Sequence, residues 1–75
     1  MMFRLVDIGR FKFNGEVKAD SFAMLLNAVR KHLASRAVDI CEDGTVLAGD
    51  RPVGRVEPLS ESARQQLAIW TEQFN

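Results

Sequence analysis

Residues 38–58, VDICEDGTVLAGDRPVGRVEP, decide the fold. Val38 and Ile40 alternate with Asp39 and Cys41, the period of two that marks a half-buried strand. Asp43-Gly44 is then a hairpin signal, because glycine tolerates the positive φ that a tight reversal requires. Residues 45–48 return as a second strand, and Gly49-Asp50-Arg51-Pro52 turns the chain again. Residues 53–57 form a third strand, which Pro58 stops because it has no amide to give a ladder. The stretch predicts a three-stranded antiparallel meander.

Upstream of it, residues 3–8 alternate roughly in polarity before Gly9 and read as an edge-prone strand. Phe11 and Phe13 lead into Asn14-Gly15, a second hairpin signal, after which residues 16–19 return. A two-residue loop sets Phe13 opposite Glu16 and Phe11 opposite Lys18; a slip of one residue pairs Phe11 with Val17, and burial favours that register. From Asp20 the period changes. Phe22, Leu25, Leu26, Val29 and Leu33 form the stripe of an amphipathic helix, capped by Asp20 or Ser21 and ending near Ser35.

Downstream, Ser60 opens a last helix with Glu61 in its first turn and Ala63, Leu67, Trp70 and Phe74 on one stripe. The expected order is β-β-α-β-β-β-α. It makes a two-layer α+β fold, an antiparallel sheet of about five strands with both helices on one face.

The chain has 75 residues, too few for more than one domain, here residues 1–75. Its 47% hydrophobic and 27% charged residues match a globular protein. Ten cations balance ten carboxylates, so the totals supply no long-range pull toward nucleic acid or an anionic membrane. No apolar run reaches the length of a membrane span, and Arg4 and Asp7 interrupt any leader-like start, which predicts a cytoplasmic protein with no membrane partner. Cys41 stands alone, so no internal disulfide forms. Cys41 and His32 are too few for structural zinc, and neither a metal nor a cofactor is expected.

Three chemical motifs are partial. Asp39, Cys41, Asp43, Gly44 and Asp50 follow calcium-loop spacing, but Cys41 is a poor ligand for a hard ion and Arg51-Pro52 cannot continue as an exit helix. The glycines of residues 49–54 are followed by no Lys-Ser or Lys-Thr, so they do not form a phosphate loop. Cys41, His32 and Asp39 are the one nucleophile set available, and a lone cysteine in an alternating strand is more simply a small apolar residue. The chain therefore reads as a non-enzyme.

Two surfaces remain. Arg30, Lys31, His32 and Arg36 crowd the end of the first helix, where cations complement the carbonyl end of the macrodipole and could equally hold phosphates. If the Asp43-Gly44 turn is a two-residue loop, Cys41 faces Val46 and Ile40 faces Leu47, and a short loop at 49–52 sets Val53 opposite Ala48 and Val56 beside Thr45. Val38, Ile40, Leu47 and Val56 then meet the helices, while Cys41, Val46, Ala48 and Val53 line the other face with Arg55. An apolar strip facing water calls for a partner. The expectation is a non-catalytic binding module, a small adaptor, regulator or inhibitor of the kind a mobile element carries. It would occupy a surface on a larger protein or complex and form a homodimer. The alternative is a small nucleic-acid-binding regulator that uses Arg30, Lys31, His32 and Arg36.

Overall fold

The computed structural model describes residues 1–8, 14–34 and 37–74, except the side chain of Phe74. Its elements are β1 (Met2–Asp7), β2 (Gly15–Lys18), α1 (Phe22–Leu33), β3 (Val38–Ile40), β4 (Thr45–Ala48), β5 (Arg51–Pro58) and α2 (Glu61–Phe74). The five strands form one antiparallel sheet in the order β2-β1-β5-β4-β3. The α+β architecture and the β-β-α-β-β-β-α order are as the sequence predicts. Among the described residues no helix is long and apolar enough to cross a membrane.

Both helices bury their stripes against one face of the sheet. Ser21 caps α1, its hydroxyl accepting from the amide of Met24 at 3.2 Å, and Ser60 caps α2 by accepting from Ala63 at 3.0 Å. Asp20, the other candidate cap, instead pairs with the amino group of Met1 at 2.9 Å. Ala34 takes a left-handed conformation (φ 51°) and closes α1 by donating its amide to the carbonyl of Arg30. Phe22, Leu25, Val29, Ala63, Leu67 and Trp70 are buried as expected, while Leu26 and Leu33 are half-buried at the margin. Trp70 joins the layers, with its ring 6.0 Å from Phe3 of β1 and 6.4 Å from Phe22 of α1.

The first two strands depart from the expected pairing. β2 lies against β1, with Gly15 opposite Leu5, Glu16 opposite Arg4, Val17 opposite Phe3 and Lys18 opposite Met2. The Asn14-Gly15 dipeptide is thus not a two-residue loop, and the predicted partners Phe11 and Phe13 lie outside the described residues. Nor is β1 an edge strand, since it sits between β2 and β5. Phe3 and Leu5 explain that position: two large apolar side chains on one face of a strand gain most where neighbours on both sides complete their burial.

The meander departs by one residue, with larger consequences. At its first turn Gly44 donates to the carbonyl of Cys41 at 2.9 Å and the amide of Cys41 donates to Thr45 at 2.8 Å, which leaves three residues, Glu42 to Gly44, in the loop. This is the type I turn followed by a left-handed glycine (Gly44, φ 91°), not the two-residue form. Only glycine fits there, because an added Cβ would stand 2.7 Å from the carbonyl oxygen of Val56. The extra loop residue moves the register so that Ile40 faces Val46, Asp39 faces Leu47 and Val38 faces Ala48. Since side chains alternate with a period of two, one step carries Val46 and Ala48 to the helical side and Leu47 to the outer side.

Between β4 and β5 a bulge at Val46/Leu47 shifts the register again. The amide of Val56 bonds to Gly44 and Val46 faces Gly54, so an unbroken ladder would next demand a bond from the amide of residue 52. Pro52 has no such amide. The bulge sets Pro52 opposite Leu47 and Arg51 opposite Ala48, leaving Gly49-Asp50 as the turn and Val53 as the extra residue. Adjacent residues Val53 and Gly54 are consequently both buried, and Val53 is core where Arg51 takes the predicted place opposite Ala48.

Candidate functional site

The predicted outer strip is dispersed by these two shifts. Val46 is 0% and Val53 2% exposed, both within the core, and Ala48 is half-buried against it. Cys41 follows β3, half-buried at the corner of the hairpin. Arg55 is the one of the five that stands fully exposed on the outer face, and Cys41, opposite Thr45, lies at that face's margin. That face is instead built from Met2, Arg4 and Val6 of β1, Glu16 and Lys18 of β2, Arg55 and Glu57 of β5, and Thr45 and Leu47 of β4, as their cross-strand pairings require. Val6 and Leu47 are half-buried among charges. Arg4 lies 3.8 Å from Glu16, and Arg55 lies 3.5 Å from Glu57.

Of the basic cluster, Arg30, Lys31 and His32 occupy the last turn of α1, and Arg36 lies outside the described residues. Arg30 donates from Nη1 to Asn27 at 3.2 Å, and Nδ1 of His32 bonds the carbonyl of Ala28 at 3.1 Å. Lys18, which sequence reading did not connect with the helix, reaches the same place. With Met24, Asn27, Ala28, Lys31 and His32 it lines an open groove of 280 Å³ with no carboxylate side chain among the described lining residues. The signal was available: Met24, Asn27, Ala28 and Lys31 fall at i, i+3, i+4 and i+7, a second helix stripe beside the apolar one.

A second groove, of 410 Å³, opens between the β3–β4 turn, the end of β5 and α2. Its floor is Val56, Pro58, Leu67 and Ala68, with Glu42 and Asp43 at one wall and Arg64 at the other. Arg64 already pairs with Glu61 at 3.4 Å. The Asp43 carboxylate accepts from the amide of Thr45 at 2.9 Å, a bond that lowers its pKa below the ordinary carboxylate value.

The partial motifs resolve into hairpin structure. Asp39 accepts from the amide of Ile40 at 2.9 Å and Asp43 from that of Thr45, so both carboxylates serve strand ends. Among the described residues no three of His, Cys, Asp and Glu gather as a metal site would need. His32 lies against Gly15 of β2, whereas Cys41 closes β3, and these are the two edge strands of the sheet. Burial, then the charges of Asp43 and Asp39, raise the Cys41 thiol above its ordinary pKa and keep it protonated near neutrality. Thiolate is the reactive form, so alkylation of the folded protein by iodoacetamide at pH 7.5 is expected to run several-fold slower than that of the urea-unfolded chain. A faster folded-state rate would mean that the thiol is activated.

No protein-family model, curated protein or solved structure matches the chain.

Proposed function

We propose that the chain is a non-catalytic binding module, a small adaptor, regulator or inhibitor that covers a protein surface with the open face of its sheet. The observation that carries this reading is the character of that face. It combines half-buried Val6 and Leu47 with two charge pairs, Arg4 with Glu16 and Arg55 with Glu57, and the further cation Lys18 at the edge opposite Met2. A polyanion favours unmatched cations, whereas a mixed apolar and charge-paired surface suits the equally mixed surface of another protein. The raised pKa of Cys41 argues in the same direction, against its use as a nucleophile.

The test is affinity capture from the native host with the parent protein, a Leu47→Lys variant and an Arg55→Glu variant. A stoichiometric protein bound by the parent and lost from both folded variants is the expected result. Capture unaffected by either change would overturn the proposal.

The groove of Lys18, Lys31 and His32 supports a second reading, a nucleic-acid-binding regulator. That reading requires affinity that falls steeply with salt, because each neutralised phosphate releases counterions, and that disappears in Lys31→Glu.

A further inference from the structure

We propose that β2 is a self-association edge, and that two copies of this chain join through it into one continuous antiparallel sheet. The strand is the last in the sheet, and among the described residues no strand lies beyond it. Its hydrogen-bonding parity follows from one contact. Ala19 donates its amide to Met1 at 2.8 Å, so that pair is hydrogen-bonded, and by alternation so are Val17 with Phe3 and Gly15 with Leu5. Glu16 and Lys18 therefore turn their backbone N–H and C=O groups away from β1, to the side where no described strand lies.

A two-fold axis through Val17 sets Glu16 of one copy opposite Lys18 of the other, twice. In that register the outward backbone groups of both residues meet their counterparts in hydrogen-bonded pairs, so ladder and side chains agree. Registers centred on Glu16 or Lys18 would oppose like charges. The choice also extends a row already present: Glu57 faces Arg4, Arg4 faces Glu16, and Glu16 then faces Lys18 of the second copy, alternating in sign throughout. On the helical side, the groove beside β2 carries Met24, 47% exposed, and Ala28, which the same axis brings against their equivalents. The pairing does not depend on what the outer face binds.

Sedimentation equilibrium across micromolar concentrations tests it, with circular dichroism to confirm folding. The parent is expected at twice its 8.4 kDa mass. Between the copies, Glu16→Lys and Lys18→Glu each create two like-charge oppositions and should weaken the dimer about tenfold or more, while within each copy Glu16→Lys also sets a lysine opposite Arg4. The double variant, with both charges exchanged, restores opposite pairs and should dimerise again. Glu16 and Lys18 are exposed, so the variants should fold. A monomeric parent overturns the proposal, whether or not it carries nucleic acid in the groove. So does a dimer indifferent to the single changes, or a double variant weaker than either.

Discussion

Replacing Trp70 by Ala is expected to cost about 3–5 kcal/mol, the usual range for deleting a large buried aromatic. The ring is largely buried and touches Phe3 of β1 and Phe22 of α1, so its loss opens a cavity where sheet, first helix and last helix meet. A domain of 75 residues has only about 4–11 kcal/mol of total stability at ordinary per-residue values. The variant should melt at least about 12 °C lower than the parent or be unfolded at room temperature. Thermal melts followed by circular dichroism measure this. Ile69→Ala, one position along α2 but exposed, serves as the control and should shift the midpoint little. An unshifted Trp70→Ala melt would mean that α2 is peripheral to the core.

That both helix stripes are legible in the sequence has a simple cause. Phe22, Leu25 and Val29, like Ala63, Leu67 and Trp70, repeat at a spacing fixed by the helix itself, and no long-range information is needed to read it. Thr71 joins the second stripe without an apolar signature, because its hydroxyl satisfies itself on the carbonyl of Leu67 at 2.9 Å and can be buried at little cost. Strand faces are different. The existence of β3, β4 and β5 follows from alternation and turn residues, but which face each residue occupies depends on loop counts accurate to one residue. The Asp43-Gly44 signal fits a two-residue or a three-residue loop equally well, and the choice rests on the contact between Gly44 and Val56 across the sheet. Pro52 carried a readable clue, since an internal proline in a paired strand demands a bulge or an outward-facing nitrogen.

The candidate surfaces inherit that asymmetry. Arg30, Lys31 and His32 are where helical spacing predicts, because their placement is local. Lys18 joins them only because β2 pairs with β1 and α1 packs beside it, a long-range arrangement with no mark in the residues near Lys18. The outer face was legible as an idea, an uncovered side of a two-layer sheet, but its membership rested on the register.

A charge placed at neighbouring positions of β4 should therefore have opposite outcomes. Val46→Lys puts an ammonium among Val56, Ile40 and the helix stripes, where a buried, unpaired charge costs several kcal/mol. Val46→Glu combined with Val53→Glu buries two carboxylates and is expected to leave no folded protein. Leu47→Lys points the same side chain to the outer face, directly opposite Asp39, and gains an opposite-charge pair worth about 0.2–1 kcal/mol against the modest apolar burial it gives up. It should fold with nearly parental stability. Urea unfolding of the two lysine variants compares equal chemistry one residue apart, so the difference between them reports the register alone. In the two-residue loop register the ranking would invert, with Leu47→Lys unfolded and Val46→Lys tolerated. That inversion would restore Val46 and Ala48 to an exposed strip beside Cys41 and take Leu47 off the outer face.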